Sequence, residues 1–387
     1  MNRHILFQGR SLARRLRLVF VAALWMGAAF GAGPRMDKAG NGADGSAQAV
    51  AEFRRGMGSV MQGDMKTALP LFRALSPGAL PERERKALLN LLKRFDGKAP
   101  QVDAQADGLD AWTAQLLGAY RAYWSRVMLR TVSTEAGEQE LSRSLRRLLP
   151  EDDPAGTHPD MPALEARLDG KLQALGYHAL FGMTLPYREF MLWRAQTNQD
   201  YPIDLPGGRE DVPVTMLDGF VSLGWMGFAS GDRYHSGGWA TPDRLYCLRS
   251  SYDLDSEGFR VSYIAHEGQH FSDYRRFPGL AQPELEYRAK LVEVSLADTT
   301  LKQLLAGFGS DGSDLRDQPH PYAQRRVMKD LAQALLPGAS PQGKWWDPVS
   351  PASIRAAAKS LLEEDTRRLQ ARSAAPPALI EGKPVRP

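Results

Sequence analysis

The stretch Ser262-Tyr263-Ile264-Ala265-His266-Glu267-Gly268-Gln269-His270-Phe271-Ser272-Asp273 sets two histidines four positions apart, with a glutamate directly after the first. A helix stacks positions i and i+4 on one face, so His266 and His270 project side by side from it. Two imidazoles on one face supply half of a tetrahedral zinc site. Glu267 lies about 100° round the helix, where its carboxylate can hold a water at the metal and take its proton. Such a site needs at least one further ligand.

The flanks mark the helix. Asp253 or Asp255 can cap its start, Phe259, Tyr263, Ile264 and Phe271 recur at near-helical spacing, and Pro278-Gly279 ends it. A second helix follows at once: Pro283 suits its first turn, and its apolar positions run through Leu296, Leu301 and Leu305 to Gly307. Glu284, Glu286 and Glu293 on it are the available acids. His266-Glu267-x-x-His270, with Glu286 opening Glu-x-x-Ala sixteen positions later, resembles the gluzincin group, the thermolysin-like zinc metallopeptidases. The resemblance implies Glu286 as third ligand, with Glu293, two turns along the same face, and Glu284 as alternatives. Metzincins require glycine and histidine where this chain has Asp273 and Arg276. Relatives often place an acid that orients a zinc-bound histidine four residues after the glutamate ligand. Lys290 stands there, so that role passes to Glu293 or Asp273.

The resemblance also implies a mainly antiparallel sheet ahead of the motif helix, with an edge strand that extended substrate can join. Extended structure is expected at His178–Leu185, Glu189–Thr197, Val212–Leu217, Gly219–Phe228 and Trp239–Leu248, with a turn at Leu205-Pro206-Gly207-Gly208 and Pro213 on an edge strand. A donor for a substrate oxyanion is sought in two places. Tyr234 and His235 lie in the glycine-rich loop before Trp239, and Tyr322 lies in His320-Pro321-Tyr322; His235 and Tyr322 are taken as the candidates.

Before the sheet, helical patterns at 49–61, 65–75, 82–95, 108–131, 135–149 and 161–175 describe a helical lobe over 49–150 and the entry to a catalytic part over 161–372. Pro70 should kink its helix or delay its start, and the aromatics Trp112, Tyr120, Tyr123 and Trp124 read as core. The polar stretch 151–160 separates the two parts. A further helix opens at Ser350-Pro351, and residues 373–387 read as a disordered tail. The expected class is therefore α+β, helix-rich, with a zincin-like catalytic domain.

Residues 1–32 have the form of a secretory signal. Five arginines and no acid precede an apolar run too short for a comfortable span, with small residues at its end and a flexible leader over 33–48. Those arginines account for the basic balance: without them the formal charge falls from +4 to −1, which leaves no reason to expect nucleic-acid binding. Cys247 is the sole cysteine, so no internal disulfide can form. The sequence thus describes a periplasmic or secreted Zn2+-dependent hydrolase of peptide or protein substrates, without a stable membrane span once the signal is removed. A helical scaffold with a structural or vestigial zinc site is the alternative.

Overall fold

The computed structural model describes residues 43–95, 108–149, 160–241, 243–338, 340 and 343–374. The expected signal, most of the leader, nearly all of the break at 151–160 and the tail from 375 onward lie outside them.

Six helices open the described chain: α1 (Ala43–Met61), α2 (Met65–Ala74), α3 (Glu82–Arg94), α4 (Ala111–Met128), α5 (Thr134–Arg147) and α6 (Met161–Ala174). Polar side chains at four of their starts accept otherwise unpaired backbone N–H groups: Asp64 from Thr67, Asp110 from Trp112 and Thr113, Ser133 from Ala136, and Asp160 from Ala163. The first helix starts at Ala43, inside the expected leader, and α2 runs through Pro70 without a delayed start.

A five-stranded sheet follows: β1 (His178–Thr184), β2 (Tyr187–Leu205), β3 (Gly208–Leu223), β4 (Gly238–Thr241) and β5 (Arg244–Leu248). Its order is β1-β2-β3-β5-β4, and every pairing is antiparallel except β3 with β5. The fold is mixed α+β, as expected. The turn at Pro206-Gly207 closes a β2–β3 hairpin far longer than the two apolar runs that suggested it. Its outer arms are exposed on β2 and carry little apolar signal.

Several expected elements are corrected. Gly219–Phe228 is not one strand: β3 stops at Leu223, Gly224 takes a φ of +79°, and Gly224–Ser230 turns into the short buried helix α7. A side chain at Gly224 would meet the Glu189 carboxylate, so glycine is required where the strand hands over to the helix. Trp239–Leu248 is two strands in a tight antiparallel pair, not one. Pro213 does not mark an edge strand. Pairing of β3 with β5 begins one residue later, at Val214, so the ring's missing N–H falls where no partner is needed.

Five helices complete the fold: α8 (His266–Arg276), α9 (Gln282–Leu296), α10 (Leu301–Asp311), α11 (Pro319–Leu335) and α12 (Pro351–Ala374). The long helix expected after the motif breaks between Leu296 and Leu301, where Ala297 turns extended. The last helix continues through residues 373 and 374, the first two of the expected tail.

One core joins α1–α6 to β1, the start of β2 and α7. Leu164, Leu168, Leu172, Phe190 and Leu192 share it with Phe53, Phe72 and Trp124. The aromatics of α4 are core, as read: Tyr120 stacks on Phe190 with ring centroids 4.7 Å apart, and the Trp124 indole donates to the Arg188 carbonyl. A second core packs α9–α12 together, and a third lies between the sheet and the motif helix, where Val212, Val214, Cys247, Phe259, Ile264 and Phe271 meet. The ligand-bearing helices thus sit between a sheet face and a helical layer. No helix among the described residues is long and apolar enough to cross a membrane.

Candidate metal centre

The motif helix is entered through a π-helical stretch, Gly258–Ala265, which passes directly into α8 at His266. Its start is held by the Ser256 hydroxyl, which accepts from the Phe259 N–H, rather than by Asp253 or Asp255. The helix ends at Arg276, ahead of Pro278 and of Gly279 in the left-handed region. Gly268, between the two histidines, faces the hairpin. A Cβ there would meet Val212 at 3.0 Å and Ile203 at 3.3 Å, so the missing side chain lets the sheet close onto α8.

Helix α9, with Pro283 in its first turn, lies against α8 and brings Glu286 to the two histidines. The His266 and His270 Nε2 atoms lie 3.1 Å apart, and each is 3.4 Å from one oxygen of Glu286. A tetrahedral zinc ion with bonds of about 2.0–2.1 Å sets its ligand atoms about 3.3 Å from one another, close to the separation of the two imidazole nitrogens, while Glu286 approaches His266 through Oε2 and His270 through Oε1. The three residues are 0%, 6% and 1% exposed. The His266/His270/Glu286 group could hold a metal ion, and its mixture of imidazole and carboxylate donors suits zinc.

The two other acids considered as ligands have different partners. Glu293 lies on the far side of His266, its Oε1 2.6 Å from Nδ1. That contact keeps a proton on Nδ1 and leaves the Nε2 lone pair aimed at the triangle, the usual arrangement behind a metal-bound histidine. Burial opposes ionisation of Glu293, but Lys290 and His266 outweigh it and hold the carboxyl below its usual range. Lys290, standing where relatives carry an acid, approaches Glu293 to 3.8 Å and supplies that countercharge. Glu284 pairs with Arg316 instead.

Asp273, the other residue considered for orienting a ligand, is bound by Arg288. This guanidinium, 1% exposed, contacts Asp273 at 2.8 Å, Asp365 at 2.9 Å and Thr366 at 3.0 Å, and so ties α8, α9 and α12 together. Without a metal ion, burial would lower the His266 pKa, yet the Glu293 and Glu286 carboxylates push it up to about 10. Burial likewise opposes the charge on Glu286, and the three imidazoles of His266, His270 and His320 hold its carboxyl well below the usual range.

Glu267 is 4% exposed and makes no hydrogen bond or ion pair to any described residue.

The two oxyanion candidates have contacts elsewhere. His235 Nδ1 lies 2.9 Å from the Ser236 carbonyl within its own loop, and the Tyr322 ring sits under the Arg316 guanidinium. From the second stretch it is His320 that reaches the group: its Nδ1 lies 2.7 Å from Glu286 Oε2, and its ring stacks beside that of His266. No spacing rule could have marked His320. It stands on α11, and only the packing of α11 against α9 brings it in. Comparisons with protein-family models, with curated proteins and with solved structures found no match.

Proposed function

We propose that this chain is an exported zinc-dependent hydrolase, a metallopeptidase of gluzincin type with a zincin-like catalytic part. It would act on peptide or protein substrates in the periplasm or outside the cell. The observation that carries this reading is Glu267. Its carboxylate has no hydrogen-bonding or ionic partner among the described residues, and it stands next to His266 and three positions before His270, two members of a three-member group that could hold a metal ion. A divalent cation held by His266, His270 and Glu286 would supply Lewis-acid polarisation of a substrate carbonyl and acidify water. Glu267 takes a proton from the attacking water and delivers it to the leaving amine. Glu293 holds His266 in the tautomer that presents Nε2.

A purely structural zinc site, the alternative, would be expected to close with four protein ligands. Among the described residues the group has three, which leaves a coordination position for substrate or water.

Metal analysis and one variant test the proposal together. Purified chain should carry close to one zinc ion. Glu267→Gln should keep that zinc while losing about 10²–10⁴-fold of its hydrolysis of a peptide-library substrate, because an amide cannot accept the proton. Absence of zinc before and after adding it back would sink the metal assignment. Full activity in Glu267→Gln would sink the catalytic one.

A further inference from the structure

We propose that a cavity between α8 and α12 is a second binding site, one that takes the C-terminal end of a short peptide: a single carboxylate with the amide next to it. The cavity measures about 490 Å³, within the usual size of a small-molecule site, and no member of the metal group lines it. Gln269 and Arg276 stand seven positions apart on α8 and so share the face that borders it. Leu362, Glu363 and Arg367 border it from α12. Gln269 carries the proposal. It is 2% exposed, lines the cavity and makes no hydrogen bond to any described residue. A buried carboxamide left unpaired is costly. It offers one acceptor and a donor pair, which match the N–H and C=O of a peptide group.

The charges around the cavity select the other end of the ligand. A third guanidinium in the lining, Arg288, is already engaged by Asp273, Asp365 and Thr366. Arg276 and Arg367 are not: neither forms an ion pair with a described residue, although Glu363 precedes Arg367 by four positions on the same helix. The Arg276 guanidinium lies over the Phe277 ring and against the hairpin turn, where a Cβ on Gly207 would come within 3.1 Å of its Nη1. Glycine at the turn thus leaves room for this guanidinium at the cavity wall. Guanidinium groups only donate, and their planar fork matches a carboxylate. Glu363 borders the same cavity and opposes a second negative charge, so a carboxylate monoanion suits it better than phosphate. Leu362 supplies an apolar wall for an aliphatic side chain.

The test reads binding on the full chain by titration calorimetry, with no need for turnover. The probes are N-acetyl-alanyl-alanine, its C-terminal amide and inorganic phosphate. Expected is saturable binding of the acid, with the amide and phosphate weaker by about tenfold or more. Arg276→Gln and Arg367→Gln should each weaken the acid about tenfold, through loss of a charge-assisted contact, and Gln269→Leu about 3–10-fold. Thermal melting checks each variant for folding. Both arginines are exposed, so if Gln269→Leu fails to fold their variants carry the test. Three results overturn the inference: no saturable binding of the acid, equal binding of acid and amide, or unchanged affinity in both arginine variants. The last would place the probe elsewhere, the metal group included. Phosphate bound as tightly as the acid overturns it too, because the cavity would then be a plain anion patch. A chain found to hold no zinc would sink the metal centre and leave these expectations standing.

Discussion

His266 Nδ1 is held by Glu293, while His270 Nδ1 has no hydrogen-bond partner among the described residues. The pair is therefore unequal, and the affinity of the group should depend strongly on what lies behind His266. Glu293→Gln tests this. The amide oxygen can still accept from Nδ1, but the charge that strengthens that bond is gone and Lys290 loses its buried countercharge. Zinc affinity should fall about 10–100-fold in this variant. Glu267→Gln, on the same helix turn as His266, should bind zinc as wild type does. Equal affinities for wild type and Glu293→Gln in a chelator competition would show that the contact does not tune the site. A larger loss in Glu293→Gln than in Glu286→Gln would mean that the ligand assignment is reversed.

Between elements, the most consequential contact away from the metal group is a carboxylate on β2 that caps a helix far along the chain. Glu189 Oε1 accepts from its neighbour Phe190 at 3.0 Å and from Trp225 in the first turn of α7 at 3.1 Å, where Leu223 offers no side-chain cap. Burial outweighs these bonds and pushes the Glu189 pKa from 4.5 up to about 7. A pKa raised on folding adds stability that is complete below about 4.5 and is lost as pH rises toward 7. The loss is about 3 kcal/mol for this group. Urea unfolding at pH 5 and pH 8 should therefore show a smaller drop for Glu189→Gln, which keeps an acceptor oxygen, than for wild type. Glu165, raised to about 7 by its own burial, contributes alike to both proteins and cancels in the comparison. An unchanged drop would contradict the assignment.

How much of this could be read in advance followed from range. Helices α2 to α6 announced themselves through local periodicity, and His266, Glu267 and His270 through spacing within a single helix. Glu286 needed the neighbouring helix and the resemblance. Short α7 was hidden because all its residues are buried and no polar period shows. His320, Lys290 as the countercharge of Glu293, and the Arg288 cluster were hidden because each depends on which helices pack side by side.

Across the whole molecule, the metal group joins two successive helices at the meeting of two cores, so an ion bound there stabilises the folded chain and finds no such site in the unfolded one. Free zinc at 100 times its dissociation constant should add about 2.7 kcal/mol to the stability of the part that unfolds with α8 and α9. Scanning calorimetry should show a melting temperature that climbs with zinc and falls back on adding chelator. A temperature indifferent to both would mean that the ion binds folded and unfolded chain alike, or not at all. The Arg288 cluster adds an order of events. Asp273 and Arg288 are made early in the second half of this chain's fold, but Asp365 and Thr366 come from α12, the last described element to leave the ribosome. The set of contacts around the Arg288 guanidinium is therefore complete only once α12 is in place. Helix α12 thus supplies no member of the candidate metal group, yet its Asp365 and Thr366 close over the guanidinium that ties together α8 and α9, the two helices that carry that group.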